Sequence, residues 1–310
     1  MFNKVFLITN IIIIILIILG GAYIFFFIFG GKTGINIGIT YNYEWEDLDP
    51  TSFAFDPILK SFYIADNFSK TVKKYSLSEE KINFVVSIGR EGNGVGEFRQ
   101  PFDIEVDKNN FVYVLDFYLS KLVKMDNYGK VLWEFGKFGN SEKDLANPRG
   151  IGLDKIGFIY IADTSNNRIV KIDLDGNFSM LFGKEGKEPF QFSAPSDVAV
   201  DSKGYILVAD TNNDRIQIFD SNANFITYTN YENQLKKPQR IYISDDDTIY
   251  IIAQNTIIKA NMNKIQKIIN PFFDRKKYKI IDILKWADKL YILYFDTQSK
   301  KGGIKIKTVD

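Results

Sequence analysis

The chain has 310 residues, 45% of them hydrophobic, enough for one large core or an array of small ones. It contains no cysteine and no histidine, so disulfides, thiol chemistry, Cys/His zinc sites and imidazole catalysis are excluded by composition. A formal net charge of +1 argues against a nucleic-acid partner, which calls for a strong basic excess.

From Val5 to Phe29 the chain reads VFLITNIIIIILIILGGAYIFFFIF, 25 residues without a charge. As a helix this stretch reaches roughly 37 Å, ample for a hydrocarbon core of ~30 Å. A cleaved signal peptide has an apolar core of only ~7–15 residues, and a cut after Ala22 would leave YIFFFIFGG on the mature chain. The expectation is an uncleaved transmembrane helix within residues 1–32, followed by a folded body over 33–310. Lys4 and Lys32 nearly balance the flanking charge. A four-residue leading tail favours a single-pass protein of the cytoplasmic (inner) membrane with the body exported.

The body repeats itself. IYIADTSNNRIVKIDLDGNF (159–178) and ILVADTNNDRIQIFDSNANF (206–225) agree at ten of twenty positions, 47 residues apart. A period in the 40s marks a stack of similar units. Related stretches start at Phe62, Val112 and Ile249, with a worn copy from Leu290. Short apolar runs precede them from Pro50, Pro101, Pro148, Pro195 and Pro238, and from Lys279 in the last copy, making six units. Runs such as Val112–Leu115 and Ile159–Ala162 are short, β-branched and bounded by turn residues, and the Asp-Gly of DLDGNF (173–178) suits a tight hairpin because glycine accepts positive φ. Glycine-punctuated loops such as GREGNGVGEFRQP (89–101) join the units; this one has neither the strand-to-helix context nor the lysine of a phosphate-binding loop. Six units of four strands, arranged radially, predict an all-β, six-bladed propeller.

GREGNGVGEFRQPFDIEVD and PSDVAVDSKGYILVADTNNDRIQIFD resemble the NHL repeat, most clearly over 89–225. The family implies a six-bladed propeller that usually serves as a binding platform. WD40 blades match less well, since no Trp-Asp dipeptide ends a strand. The last unit supplies only three strands, whereas INIGITYNYEW (35–45) is unassigned. Residues 35–44 are expected to pair with 303–309 and close the ring, removing a free edge.

The repeated turn reads as structural: Asp163 with Arg168 and Asp210 with Arg215 stand at hairpin ends, while Asn166 and Asn213 suit left-handed positions. A functional site is expected where the units differ. Two residues after the leading prolines come Ser52, Asp103, Gly150, Asp197 and Arg240, with Arg149 beside them. Asp103, Arg149, Asp197 and Arg240 are the candidate ligand residues at the channel mouth, although they also read as a self-neutralising rim. Phe68, Phe117, Tyr118, Phe138, Phe190 and Tyr231 lie in nearby loops and are candidate anchors.

Two functions compete. One is a membrane-tethered module binding a protein, peptide or glycan, with no catalytic residue, metal or cofactor. The other is a hydrolase or lactonase of the six-bladed kind using a carboxylate-bound calcium at Asp103 and Asp197, a site disfavoured by the neighbouring arginines. Residues 259–310 carry 13 Lys or Arg against 5 Asp or Glu. Lys276, Lys277, Lys300, Lys301, Lys305 and Lys307 would lie near an anionic bilayer surface if the last blade follows the anchor.

Overall fold

The computed structural model describes residues 13–19, 22–28 and 38–308 except 79–80, 270–273 and 275; for 13–19, 22–28, 38–42 and 308 it describes the backbone alone. Six antiparallel blades follow one another around a ring, five of four strands and the last with two further strands on its outer edge. Blade 1 is Pro50–Asp56, Ser61–Asp66, Thr71–Ser78 and Lys81–Ile88; blade 2 is Pro101–Val106, Val112–Asp116, Lys121–Met125 and Val131–Phe135. Blade 3 starts at Gly150–Leu153, blade 4 at Pro195–Val200 and blade 5 at Pro238–Ile243. Blade 6 takes Tyr278–Trp286, Lys289–Asp296 and Lys301–Thr308 from the end of the chain and Gly38–Trp45 from before blade 1. Thr40 pairs with Lys307 and Trp45 with Gly302. The ring is therefore closed by a strand borrowed from the N-terminal side, and blades 1 and 6 are locked by covalent continuity as well as packing.

The second strand of each of blades 1–5 lies with both faces against neighbouring blades, and none of its residues is exposed. This is why these strands read as unbroken apolar runs rather than alternating ones. The core is accordingly divided into six clusters, one in each gap between blades. Phe53 and Phe62 meet Leu284 and Leu293 between blades 1 and 6, and Ala209 and Ile218 meet Ile241 and Ile251 between blades 4 and 5.

A second device ties successive blades together. Lys74, Lys124 and Lys171 each lie over the ring of the cross-strand partner, Tyr63, Tyr113 and Tyr160, at 5.1, 5.3 and 5.1 Å. Each ammonium then donates to a turn carbonyl of the next blade: Asn127, Leu174 and Ser221, at 3.0, 2.7 and 3.3 Å. The stem packs while the charge reaches a partner, as long basic side chains do at apolar surfaces. In the DLDGNF turn, Asp173 accepts from the backbone N–H of Asp175 and Asn177, and Gly176 has φ +84°.

Of the anchor expected over 5–29, residues 5–12, 20–21 and 29 lie outside the described residues. Where the backbone is described, Ile13–Leu19 and Ala22–Ile28 are strands, paired with each other and, through the latter, with Gly38–Trp45. No helix among the described residues is long and apolar enough to cross a membrane.

Candidate functional site

The inner strands of every blade but the third carry a β-bulge near their start, between Pro50 and Ser52, Pro101 and Asp103, Pro195 and Asp197, Pro238 and Arg240, and Ile280 and Asp282. A bulge sets two successive residues against one partner and turns both toward the same side. The channel is therefore lined by two adjacent rings. The outer ring, on the face that carries the repeated turn, includes Thr51, Phe102, Arg149, Ser196 and Gln239. The inner ring is Ser52, Asp103, Gly150, Asp197, Arg240 and Asp282.

The inner ring alternates. Blades 2, 4 and 6 present carboxylates, and each carboxylate crosses to the following blade. Asp103 accepts from Ile151 N at 2.7 Å, Asp197 from Ile241 N at 2.7 Å, and Asp282 from Phe53 N at 3.3 Å and Ser52 Oγ at 2.7 Å. The other oxygen accepts from the residue after its own, Ile104, Val198 or Ile283. Blade 3 offers Gly150 instead, where a Cβ would meet the Asp197 carboxylate and the Ser196 carbonyl at 2.8 Å; only glycine admits this approach.

Arg240 of blade 5 spans the channel to the opposite blade. Its Nη1 lies 2.7 Å from Asp103 Oδ1, and its Nη2 donates to the carbonyls of Thr51 at 2.9 Å and Phe102 at 3.1 Å. Burial opposes its charge but is outweighed by Asp103, Asp282 and Asp197, which hold the guanidinium firmly protonated. Arg240 forms part of the walls of two separate cavities and so plugs the channel between them. On the side away from the repeated turn lies an acidic chamber of about 380 Å³, lined by Asp103, Glu105, Asp197 and Asp282. Burial raises the Asp197 carboxyl well above the usual range, with Arg240 pulling the other way, and raises Asp282 to about 6. Glu105 is raised well above its ordinary value by burial and then by Asp103, Asp282 and Asp197. Among the described residues no group of three or more acidic side chains is placed to hold a metal ion.

On the other side of the plug is a mouth of about 290 Å³, with Gln100, Phe102, Arg149, Gln239 and Lys279 on its walls. The Arg149 guanidinium lies 5.9 Å from the Phe102 ring and 5.5 Å from Phe117, which are themselves 5.5 Å apart. Phe102 also carries Arg240 on its ring, at 5.5 Å. Burial, then the charge of Arg240, lowers the Arg149 pKa, though an arginine remains protonated at any physiological pH. Tyr118 and Phe68 stand 66% and 61% exposed in the hairpin loops of the same face.

The four candidate ligand residues therefore divide. Arg149 is at the mouth; Asp103, Asp197 and Arg240 are buried one ring deeper, where they hold blades together. Of the loop aromatics, Phe68, Tyr118, Phe138 and Phe190 are exposed, while Tyr231 is buried and donates to Asn261 O at 3.1 Å. Asp282 and Glu105 escaped the sequence reading. Asp282 follows Ile280 where other blades have proline, and Glu105 stands two residues beyond Asp103, on the same strand face.

The repeated turn is an inter-blade clamp. Asp163 accepts from Ala146 N at 2.6 Å, Asn166 Nδ2 at 2.8 Å and Arg168 Nε at 2.7 Å, and Arg168 reaches on to the carbonyls of Asn140, Ser141 and Asp144 in the loop from the preceding blade. Asp210, Asn213 and Arg215 repeat this, with Arg215 on Glu188 O and Gln191 O. The left-handed positions belong to Asn167 and Asp214, at φ 53° and 55°, one residue later than expected; Asn166 and Asn213 lie inside a 3-10 turn and use their amides instead. Of the six terminal lysines, Lys277 pairs with Asp296 and Lys301 with Glu46, whereas Lys276, Lys300 and Lys307 are exposed.

Residues 60–135 match a family described as a 6-bladed beta-propeller, and residues 192–219 match the NHL repeat. The chain is a six-bladed β-propeller, one stretch of which matches the NHL repeat. Virginiamycin B lyase from Staphylococcus aureus is similar in structure, with a TM-score of 0.62 and 13% identity over 87% of this chain and 100% of that one. A luciferin-regenerating enzyme gives 0.60 and 13% over 85% and 92%, and a chain of a Nidogen/Laminin complex gives 0.58 and 17% over 76% and 90%. At such identities the likeness is one of fold. No curated protein matches the chain in sequence.

Proposed function

We propose that the chain is a binding module, held at a membrane by residues 5–29, that takes its ligand at the mouth on the repeated-turn face. The observation that carries this reading is the aromatic platform there: Phe102 and Phe117 packed under Arg149, with Tyr118 and Phe68 exposed on the rim. Rigid aromatics beside an arginine are the residue types that dominate binding energy at interfaces. In the inner ring, by contrast, the three carboxylates are engaged in bonds between blades and Arg240 is engaged with Asp103. The fold itself serves both purposes, since its neighbours include a lyase and a chain of a protein complex.

A second reading has one observation in its favour. The acidic chamber holds carboxyls raised by burial, as catalytic acids are. A lyase of this fold is described as catalytically inactive when a histidine is replaced by alanine, and this chain has no histidine to play such a part.

Membrane attachment rests on the uncharged length of 5–29. An open pair of strands cannot cross a bilayer, because its outer N–H and C=O groups would go unpaired, so insertion requires this stretch to become helical. Retention in the membrane pellet after alkaline carbonate tests the anchor; release into the supernatant refutes it.

The mouth is tested with a photo-reactive amino acid in place of Tyr118, or of Tyr128, which is 86% exposed in a turn at the opposite end of blade 2. Ligand adducts in membranes of the producing cells are expected from position 118 and not from 128. Equal yields, or adducts from 128 alone, refute the placement.

A further inference from the structure

The chemistry of the mouth points to a narrower class of ligand, a deduction that rests on the binding reading above. Four side chains on its wall carry hydrogen-bond donors and have no side-chain hydrogen bond or ion pair to the described protein: the Arg149 guanidinium, the Lys279 ammonium and the amides of Gln100 and Gln239. All four line the same 290 Å³ cavity. Their neighbours are different. Asn67 is engaged with Asp49 and Lys70, and Thr211 with Ser196 and the Pro238 carbonyl. Arg240 is saturated by Asp103, Thr51 O and Phe102 O. The one carboxylate on the cavity wall, Asp49, is held by Asn67 Nδ2 at 2.9 Å.

Two unpaired cations facing one cavity make a receptor for an anion, and their kinds specify which. Arg149 lies over Phe102 and Phe117, so its fork is held before any ligand arrives and presents paired N–H groups of the spacing a carboxylate accepts. The two amides offer both donors and acceptors, which suit hydroxyl groups rather than a second charge. The ring of Phe102 on the cavity wall, with Phe117 packed against it, supplies flat apolar surface beside them. A polyol ring bearing one carboxylate uses all three features; an acidic peptide is instead usually read by a cluster of arginines, and of the two arginines on this wall Arg240 is already engaged by Asp103.

We propose that the repeated-turn mouth binds a uronic-acid sugar, with its carboxylate on Arg149, supported by Lys279, and its hydroxyls on Gln100 and Gln239. No bond is made or broken; the site recognises and holds.

The test uses the full chain in lipid nanodiscs, titrated calorimetrically with oligogalacturonate, oligomannuronate and hyaluronan oligosaccharides. Each acid is compared with its methyl ester, which keeps the ring and removes the charge, and with an Asp/Glu-rich peptide of equal charge. At least one acid is expected to bind at least tenfold tighter than its ester. Arg149→Gln is expected to lose at least tenfold, and Arg149→Lys to recover only part, since an ammonium lacks the fork. Neither variant should move the melting temperature by more than about 2 °C, because Arg149 makes no side-chain hydrogen bond or ion pair and its loss removes only the contact with Phe102 and Phe117. Equal binding of acid and ester, failure of every acid to bind, or an unaffected Arg149→Gln overturns the proposal. Preference for the peptide overturns it in favour of a protein ligand. A neutral ligand crosslinked at position 118 would leave the binding reading standing and remove this one alone.

Discussion

Replacing Arg240 by methionine tests what holds the channel together. The side chain is 8% exposed and its partner Asp103 6%, so the pair is screened little by solvent. Methionine keeps most of the volume but leaves the Asp103 carboxylate without its cation and the Thr51 and Phe102 carbonyls without their donor. Breaking one side of a buried ion pair costs about 3–5 kcal/mol. At roughly 2–4 °C per kcal/mol for a domain of this size, the melting temperature should fall by about 10 °C. Trp45, Trp133 and Trp286 all lie in the propeller, so intrinsic fluorescence of the full chain in detergent reads the transition. Two further signs identify the cause. Arg240 also lowers the pKa values of Asp197 and Asp282, so its loss raises them further; the folded state then binds protons more readily, and acidification from pH 7.5 to 5 should restore part of the loss. Adding Asp103→Asn removes the stranded charge and should also restore part of it. A shift under about 2 °C, no recovery at pH 5, and a double variant no better than the single would together refute the account of Arg240 as a charge-balanced plug.

The same melt checks three other expectations. Gly150→Ala should cost about 1–3 kcal/mol, because the added methyl meets the Asp197 carboxylate and Ser196 carbonyl in a space that has no room for it. Asp282 titrates at about 6 when folded against an ordinary 3.8, so the folded state takes the proton first and stability should rise as pH falls from about 7 to 4. About two units correspond to roughly 3 kcal/mol, and Asp282→Asn should flatten that contribution; an unchanged pH profile refutes the assignment. Arg168→Lys should destabilise nearly as much as Arg168→Ala, since a single ammonium cannot reach Asp163 and the three loop carbonyls together; full rescue by lysine would refute the fork.

The ring was legible because its units repeat in sequence, and the borrowed strand because the last unit runs out one strand short. The Tyr–Lys tie also leaves a mark in the sequence: Tyr63 and Lys74, Tyr113 and Lys124, and Tyr160 and Lys171 are each eleven residues apart and directly paired. What sequence hides is the bulge. Strict alternation puts Phe102 and Asp103, or Gln239 and Arg240, on opposite faces of a strand, whereas the bulge brings both into the channel. The reading thus gathered Asp103, Asp197 and Arg240 with Arg149 at one mouth, when one ring separates them. Asp282 was hidden by a lost proline, and Asn167 by its neighbour Asn166, since both residues of the pair suit a turn and only the backbone decides which is left-handed.

The plug also bears on how the binding and enzymatic readings relate. An open channel would let the acidic chamber and the cationic mouth act on one ligand, with opposite charges at its two ends. Arg240 prevents that, because its fork occupies mid-channel and is bonded to blades 1 and 2 as well as belonging to blade 5. A ligand at the mouth therefore meets Arg149 and Lys279 first, with Arg240 behind them and the carboxylates farther in. The order of charges from the mouth inward is positive and then negative, which admits an anion to the first chamber and gives it no reason to go deeper. Chemistry in the acidic chamber would need a substrate entering from the opposite face, past Asp245 and Lys285 on the wall of the same cavity. Arg240→Met keeps most of the volume but removes the charge that stands between the two sites, so each reading predicts a different cause for any change. Binding at the mouth would change through the loss of a charge behind Arg149, whereas an activity confined to the acidic chamber would change through the carboxylates that Arg240 neutralises.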